Sequence, residues 1–273
     1  MDVLWDILII VGAVAAAIAT MLLLRRHAPA GGYFSDSERA SGVFGVVATG
    51  FAIFAGFVIF LAFSSYDSSR SGAEQEATTV AQQYQTAQLL PSAVSGRVTG
   101  QLICYGRSVV GQEWPQMQAG TAGDAINPWA IALFKSMKSA NPKTATEQSA
   151  YDRFFEQGTL REDGRRDRLH GSEGIIPIPL WAVLLLLAGV LFVYVLFYAD
   201  SAERARSQAM MIGSATMALV VTLLAIYSLN RPYSGVGSIR PVAMERSLRV
   251  LDQARTALGD TTPLPCNSFG AAR

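Results

Sequence analysis

The sequence predicts an all-α, polytopic membrane protein with four transmembrane helices and a helical domain between the second and the third. Of the 273 residues, 51% are hydrophobic and only 16% are charged, which is too few charges for the surface of a soluble protein of this length. The apolar residues are concentrated in uninterrupted runs that reach the ~20 residues a helix needs to cross a bilayer. The segments between these runs have helical periodicity, and we expect no β-sheet.

Each of four apolar runs is long enough to span a bilayer as one helix. The first, Val3 to Leu24, is followed by Arg25 and Arg26 without a convincing cleavage site, which favours a retained helix over a secretory signal. The other runs, 43–63, 180–198 and 210–229, contain no charged residue. We therefore divide the chain into 1–63 with the first two crossings, 64–179 as a polar helical domain, 180–229 with the last two crossings, and 230–273 as a tail with one amphipathic helix.

The arginines of the short loops predict the orientation of the chain in the membrane. An even number of crossings places the amino terminus, the domain and the tail on one side, and the two short loops on the other. These loops contain Arg25, Arg26, Arg39, Arg204 and Arg206, an excess that favours the cytoplasmic side. We therefore expect a multi-pass protein of a cell membrane, such as a bacterial inner membrane, with the amino terminus, domain and tail extracytoplasmic.

Local patterns predict the helices of the polar domain. Apolar residues continue the helix of the second crossing toward Pro91, and a second helix runs from Pro91 to about Glu113. Asn127 followed by Pro128 is typical of a helix start, and Thr144 with Glu147 forms a capping-box pattern. We expect the last of these helices to end before the charged stretch 161–168, and the tail to contain a helix over about 241–258 that docks on the domain.

The chain has two cysteines, Cys104 in the domain and Cys266 in the tail, and the crossing count places them in the same compartment. A disulfide between them is topologically possible and would suit an oxidising extracytoplasmic compartment. Two unrelated thiols are the alternative, because bonding depends on geometry that the sequence does not show.

The reactive side chains of the sequence argue against an enzyme. The two histidines lie on opposite sides of the membrane, and the cysteines lack metal-ligand spacing, so we expect neither a metal nor a cofactor. A net charge of +1 without a basic patch argues against nucleic acid as a partner. An enzyme of the lipid or cell envelope would have to use charges of the domain such as Glu74, Glu76, Arg97 and Arg107, which we interpret as structural ion pairs.

Small residues recur at four-residue steps within the crossings and predict close helix packing. They are Gly12, Ala16, Ala48, Ala52 and Gly56. The pattern fits packing within one chain as well as packing between copies.

The second crossing is rich in phenylalanine, and apolar rings can gate a pore by dewetting. Phe51, Phe54 and Phe57 are the candidates for such a constriction if copies assemble around an axis. The alternative is that most of the rings face lipid or neighbouring helices, because together they sweep around more than half of the helix.

Two motifs of the chain resemble those of the bacterial bestrophin-like membrane proteins. After the second crossing these are Tyr66-Asp67 with Arg70, then Glu76-Ala77, Tyr84 and Leu89-Leu90-Pro91; after the fourth, the motif is residues 229–235, Leu-Asn-Arg-Pro-Tyr-Ser-Gly. The family more often has an acidic residue where Asn230-Arg231 precede the proline. The resemblance implies a ring-shaped anion channel whose second crossing lines the pore with phenylalanines, and a cytoplasmic location of the middle domain, opposite to the location that the arginines predict.

Two functional hypotheses follow. The first is a homo-oligomeric, channel-like membrane protein that passes small anions. The alternative is an accessory or scaffold subunit of a larger membrane complex without transport activity of its own. No crossing carries a central charged residue, which disfavours a proton-coupled transporter.

Overall fold

The computed structural model describes residues 3–29, 33–121, 126–235 and 237–273. Within these ranges the chain is helical, and its only strand-like feature is one isolated bridge between Cys266 and Ala272. The helices are α1 (Val3–Arg25), α2 (Ser37–Ala87), α3 (Ser92–Ser108), α4 (Trp114–Gln118), α5 (Pro128–Lys138), α6 (Ala145–His170), α7 (Ile178–Phe197), α8 (Ala205–Leu229) and α9 (Val242–Ala257). A π-helical turn, Val109–Glu113, joins α3 to α4.

The four predicted crossings are confirmed as helices long and apolar enough to span a membrane. They are α1, the first part of α2, α7 and α8. Most of the surface of these helices is not covered by the chain itself, because no more than 28% of the most apolar window of any of them is buried. Apolar surface of this extent requires lipid or another protein chain to cover it.

The chain forms two compact units. The membrane unit comprises the described residues within 1–64, 175–230 and 235–237, and the helical domain comprises 65–174, 231–234 and 238–273. The helix α2 contributes residues to both units, since it runs without interruption over 51 residues. The tail helix α9 belongs to the helical domain, where a Cβ at Gly106 of α3 would lie 2.9 Å from the side chain of Leu248.

Two interfaces hold the membrane unit together. The helix α1 packs on α8 where Gly213 leaves room for Val14 and Ile18, and the buried Ala17 and Met21 extend this contact. The second interface joins α2 to α7 and α8 through a buried cluster. It contains Phe51, Ala55, Val58, Ala62, Leu184, Leu191 and Ile226.

Close approach of α2 and α6 organises the core of the helical domain. An ideal Cβ at Gly164 would lie 2.8 Å from the backbone nitrogen of Glu76 and 2.8 Å from the backbone oxygen of Gly72. A Cβ at Gly72 would meet the backbone of α6 at similar distances. The two backbones therefore touch at these glycines, and any larger residue at either position would force the helices apart.

The predicted helix caps are confirmed. The side chain of Asn127 accepts a hydrogen bond from the backbone N–H of Trp129, and Pro128 occupies the first position of α5. Thr144 and Glu147 form the reciprocal capping box at the start of α6. These caps depend only on residues within one turn, which is why the sequence reveals them.

The charged stretch 161–168 corrects one prediction, because it does not terminate a helix. It forms the last turns of α6, which ends at His170. Two of its arginines, Arg161 and Arg168, are buried. The charge of Arg168 is paired with Glu76 of α2 and Glu113 of the π-helical turn, so this part of the run remains helical inside the core.

Candidate functional site

The transmembrane part of α2 has one face buried in the membrane unit. Phe51, Ala55, Val58 and Ala62 follow one another at three- or four-residue steps and are almost completely buried against α7 and α8. This spacing places them on one stripe of the helix. The stripe anchors α2 to its own chain and leaves the opposite side of the helix for other contacts.

The opposite face of α2 is apolar and exposed. Val46, Ile53, Phe57 and Phe60 lie there at helical spacing, with between 56% and 75% of each residue accessible. Gly50 belongs to the same stripe, and no atom of the described residues lies within 4 Å of a Cβ built on it. No residue of α2 between 43 and 63 is charged. An unpartnered apolar stripe of this length on a membrane helix requires lipid or another chain to cover it.

The three candidate constriction residues occupy different positions on α2. Phe51 is only 6% exposed and packs inside the membrane unit, and Phe54 is half-buried at the edge of the same cluster. Phe57 is 56% exposed and lies on the outer stripe. The ring free to meet another copy is therefore that of Phe57, and Phe60 joins it one turn further along the helix.

The predicted packing residues lie largely on outer surfaces. Gly12 and Ala16 of α1 are exposed, as are Ala52 and Gly56 of α2, while Ala48 is half-buried beside the cluster with α7 and α8. In the part of the chain that the structure describes, no atom lies within 4 Å of a Cβ built on Gly12 or Gly56. Within the chain these small residues leave open surface at which a second helix can approach closely.

The helical domain contains a buried ionic cluster that joins three helical segments. Arg168 of α6 is fully buried, and its Nε lies 2.5 Å from Oε2 of Glu76 on α2. Its Nη2 donates to Oε1 of Glu76 at 3.0 Å and to Oε2 of Glu113 in the π-helical turn at 2.7 Å. The guanidinium group also lies 5.7 Å from the centroid of the Trp114 ring. These contacts satisfy one buried arginine with two carboxylates.

Neighbouring residues complete the hydrogen bonding of the two carboxylates. The hydroxyl of Tyr105 donates to Oε1 of Glu76 at 2.6 Å, and Nδ2 of Asn127 donates to Oε1 of Glu113 at 2.7 Å. Nη2 of Arg165 lies 3.4 Å from Oε2 of Glu113. Each carboxylate is thus held by donors from at least two elements, which fixes its position in the core.

Burial and charge pairing shift the pKa values of three groups in this cluster. Burial opposes ionisation of Glu113 and Arg168, but the opposite charges outweigh it, so the pKa of Glu113 is lowered and that of Arg168 is raised. Burial, reinforced by the charge of Glu76, raises the pKa of Tyr105 well above its ordinary value. Glu113 and Arg168 are therefore ionised at neutral pH and Tyr105 is protonated, as a structural ion pair requires.

A second buried arginine extends the cluster along α6. Nη1 of Arg161 donates to Oε1 of Gln83 on α2 at 2.9 Å, and its guanidinium carbon lies 4.8 Å from the centroid of the Tyr105 ring. The Nε2 of Gln83 in turn donates to the backbone oxygen of Phe154 at 3.0 Å. Two arginines two turns apart thus attach α6 to the same side of α2.

The sequence contains one signal for this cluster that the sequence interpretation did not use. Glu76 lies on the apolar stripe of α2 that includes Ala73, Ala77 and Val80, and all of these residues are buried. A carboxylate within a buried stripe requires a cationic partner. The partner, Arg168, lies 92 residues away, and no local pattern identifies it.

The charges considered for an envelope enzyme do not gather. Glu74 pairs with Arg70 on the exposed side of α2, whereas Glu76 is buried with Arg168. Arg107 lies 3.8 Å from Asp252 of α9, and Nη2 of Arg97 donates to a backbone oxygen of its own helix. Among the described residues no group of three or more His, Cys, Asp and Glu side chains lies close enough to hold a metal ion.

The second family-like motif, at residues 229–235, has two structural roles. The side-chain oxygen of Asn230 accepts hydrogen bonds from the backbone N–H groups of Ile175 and Ile176, at 2.7 and 2.8 Å, at the start of the third crossing. The hydroxyl of the buried Tyr233 donates to the backbone oxygen of Arg168 at 2.6 Å. The motif therefore organises the segment before α7 and the end of α6.

A disulfide ties the tail to the helical domain. Cys104 of α3 and Cys266 are bonded, with Cα atoms 5.7 Å apart and a sequence separation of 162 positions. The neighbouring tail is held by Nε1 of Trp129, which donates to the backbone oxygen of Gly270 at 2.6 Å. Gly270 has a positive φ of 77°, and a Cβ there would collide with the backbone of Ser108. The tail is thus an integral part of the domain.

Comparisons with known proteins extend these observations to a family. The Bestrophin-like domain matches residues 11–244 of the chain. The chain also resembles a bacterial bestrophin homologue from Klebsiella pneumoniae that carries an isoleucine-to-threonine mutation, with a TM-score of 0.67 at 11% identity over 95% of this chain and 100% of the other. A second variant of the Klebsiella pneumoniae homologue, with a tyrosine-to-alanine mutation, gives a TM-score of 0.65 at 12% identity over 92% and 99% of the two chains.

A solved membrane protein with a proline-to-alanine mutation gives a TM-score of 0.67 at 11% identity, over 89% of this chain and 98% of the other. No functionally curated protein matches the sequence. At these identities the structural likenesses establish the fold, and the match over residues 11–244 establishes the family.

Proposed function

Because the chain belongs to the family of the Bestrophin-like domain, we propose that it is a channel for small anions that acts as a homo-oligomer, with the outer face of α2 around the central axis. One observation carries the proposal. The apolar stripe of Val46, Ile53, Phe57 and Phe60 is exposed on α2, while the opposite face anchors the same helix to α7 and α8. The helix is therefore fixed on one side and presents a smooth apolar wall on the other.

The constriction of the proposed pore is formed by Phe57, with Ile53 and Phe60 on either side of it along the stripe. Rings contributed by several copies narrow a pore to a width at which an apolar lining favours a dry state. Phe54 lies beside this stripe and contributes to its edge, whereas Phe51 supports α2 from inside the subunit. Because residues 43–63 of α2 are uncharged, ions that lose water most readily are expected to pass most easily.

Small residues provide the contact between copies in this proposal. Gly45, Thr49, Ala52 and Gly56 follow one another at three- or four-residue steps along one edge of the exposed stripe, and all are exposed. Small residues at this spacing let helices approach closely. The edge suits packing against a neighbouring copy and turns the rings of the stripe toward the axis.

The proposed orientation places the helical domain outside the cytoplasm. The arginines of the short loops support it, since Arg25, Arg26, Arg204 and Arg206 lie in or beside those loops. The disulfide between Cys104 and Cys266 supports it independently, because such bonds persist in oxidising compartments and are rare in the cytosol.

Anion efflux from liposomes tests the proposed function. The full chain is reconstituted at increasing protein-to-lipid ratio, and chloride, iodide and glutamate efflux are recorded against protein-free vesicles. We expect protein-dependent efflux that is faster for iodide than for chloride and negligible for glutamate. Absence of protein-dependent efflux of both chloride and iodide would contradict the proposal.

Native mass spectrometry in a mild detergent tests the assembly. We expect a complex of identical subunits without other proteins. One copy bound at fixed ratio to different membrane proteins would instead identify an accessory subunit of a larger complex.

A further inference from the structure

The helical domain contains a basic groove that lies apart from the buried ionic cluster and the disulfide. It has a volume of about 650 Å³ and lies between the segment of α2 that follows the second crossing and residues 238–247, which lead into α9 and form its first turns. Its polar rim contains Tyr66, Arg70, Glu74, Arg240 and Arg246. Three arginines and one glutamate give this rim a net formal charge of +2, although the whole chain carries only +1.

Two of these arginines have no carboxylate partner among the described residues. Arg70 lies 3.2 Å from Glu74, but Arg240 and Arg246 form no ion pair within the described part of the chain and are exposed. Their guanidinium groups are therefore available to an external anion. Guanidinium groups present several N–H donors in a planar fork that matches phosphate and carboxylate oxygens.

The floor of the groove is apolar and its walls are fixed. Ala73 and Ala77 of α2 face Ile239 and Ala243 across the floor. The hydroxyl of Ser247 donates to the backbone oxygen of Ala77 at 2.8 Å and holds α9 against α2. Nε1 of Trp114 donates to the backbone oxygen of Ile239 at 3.3 Å. A cationic rim over an apolar floor suits an amphipathic anion better than a fully hydrated one.

The position of the groove along α2 suggests the source of such an anion. The uncharged stretch of α2 ends at Phe63, and Tyr66 and Arg70 follow it by three and seven residues on the same helix. At ~1.5 Å per residue these lie roughly 5 and 10 Å beyond the apolar stretch. A headgroup layer is ~5 to 8 Å thick, and long arginine side chains reach back toward it. Tyrosine is also enriched at this level of a membrane protein.

We propose that the groove binds a phosphate group, presented by the headgroup of an anionic phospholipid, with Arg240 and Arg246 as its main ligands. Arg70 completes the rim, and the alanine and isoleucine floor receives the glycerol backbone. The proposal concerns lipid recognition and does not depend on ion conduction.

Calorimetric titration of the full chain in neutral detergent tests the proposal. The probes are dihexanoyl phosphatidylglycerol, dihexanoyl phosphatidylcholine and inorganic phosphate, all at the same physiological ionic strength so that screening is equal for each probe. We expect phosphatidylglycerol to bind at least tenfold more tightly than phosphatidylcholine. Inorganic phosphate that binds as tightly as phosphatidylglycerol would support the phosphate site and identify the free ion as its source. Failure of both phosphatidylglycerol and inorganic phosphate to bind would overturn the proposal.

Paired variants connect the binding to the groove. In the double variant Arg240→Ala/Arg246→Ala we expect the affinity for the bound probe to fall about tenfold or more, since two charge-assisted contacts are lost. Arg249→Ala is the matched control, because Arg249 is exposed on the same helix and lies outside the groove. Arg249→Ala should change the affinity by less than about twofold, whereas loss of the two arginine contacts in the double variant should lower it about tenfold.

A third variant, Ala243→Phe, keeps every charge and fills the floor of the groove. We expect it to weaken the binding of phosphatidylglycerol as well. An equal loss of affinity in Arg249→Ala and in the double variant would mean binding to general surface charge and would overturn the proposal. Thermal unfolding of each variant confirms that the fold is retained.

Discussion

Arg168 and Glu76 form a fully buried ion pair in which neither side chain is exposed to solvent and the closest atoms are 2.5 Å apart. The pair joins α6 to α2 at the point where Gly164 and Gly72 bring the two helices into backbone contact. Because both charges are removed from water, loss of either partner would leave the other charge buried and unpaired. We therefore expect the stability of the helical domain to depend on this contact.

Replacement of Glu76 by glutamine should destabilise the helical domain strongly. Arg168 keeps its charge but retains only Glu113 as a carboxylate partner, and loss of one member of a buried pair costs about 3 to 5 kcal/mol. The measurement is thermal unfolding of the purified protein followed by far-ultraviolet circular dichroism. Glu74→Gln serves as the control, because Glu74 is exposed and its loss should leave the unfolding temperature unchanged. Equal unfolding temperatures for the two variants would contradict this role of Glu76.

Acid should destabilise the domain through Glu113. Burial opposes its ionisation, but Arg168 and Arg165 lower its pKa below the ordinary value of 4.5. A carboxyl group with a lowered pKa in the folded state stabilises fully above the pKa of the unfolded state, and this contribution is lost as pH falls through the folded-state pKa. We expect the free energy of unfolding to decrease as the pH is lowered below about 4.5.

The variant Glu113→Gln checks that assignment. It should be less stable at neutral pH and should show a shallower decrease of stability between neutral and acidic pH than the wild type. Glu156→Gln, whose side chain is exposed, should keep the wild-type dependence. Wild-type pH dependence in Glu113→Gln would show that other carboxyl groups carry the effect.

Replacement of Gly164 by alanine should separate α2 from α6. The added Cβ would lie 2.8 Å from two backbone atoms of α2, which cannot rotate away as a side chain can. We expect a loss of about 1 to 3 kcal/mol in the free energy of unfolding. Gly96→Ala is the matched control in an exposed helical position with nothing within 4 Å of the new Cβ, and it should stabilise by about 0.5 to 1 kcal/mol. Chemical denaturation measures both, and a neutral Gly164→Ala would refute the close contact.

Reduction of the disulfide should loosen the tail. The bond closes a loop of 162 residues, and loss of such a bond typically costs about 2 to 5 kcal/mol. Thermal unfolding with and without reductant measures the effect, and Cys104→Ser/Cys266→Ser gives the same comparison without reductant. We expect faster proteolysis after Thr261 in the reduced protein, since the tail then depends on noncovalent contacts such as the hydrogen bond from Trp129 to Gly270. Unchanged unfolding temperature and proteolysis would show that the tail packs without the bond.

The sequence predicts the elements that depend on neighbouring residues. The crossings follow from apolar length, and the caps at Asn127 and Thr144 follow from side chains within one turn. The burial of Arg168 could not be predicted in this way, because its partners Glu76 and Glu113 lie 92 and 55 residues away. The same limit applies to the phenylalanines: their spacing places Phe51 and Phe57 on different faces, but only the packing of α7 and α8 decides which face is buried.

The basic groove illustrates the same limit at the surface. Arg70 and Arg246 are separated by most of the chain, and neither has a local pattern that distinguishes it from a solvated charge. Packing of α9 against α2 brings them to one rim. The family motif singles out Tyr66 and Arg70 in the sequence. The structure adds Arg240 and Arg246, which line the same groove.

In the proposed channel the exposed stripe of α2 lines an anion pathway narrowed by Phe57. The most direct test is chloride efflux from liposomes that contain wild-type protein, Phe57→Ala, or Phe197→Ala, which removes an exposed ring from α7 instead. We expect Phe57→Ala to increase the efflux rate several-fold with an unchanged native mass, and Phe197→Ala to match the wild type. Equal rates for all three proteins would contradict both the constriction at Phe57 and the proposal that α2 lines the pathway.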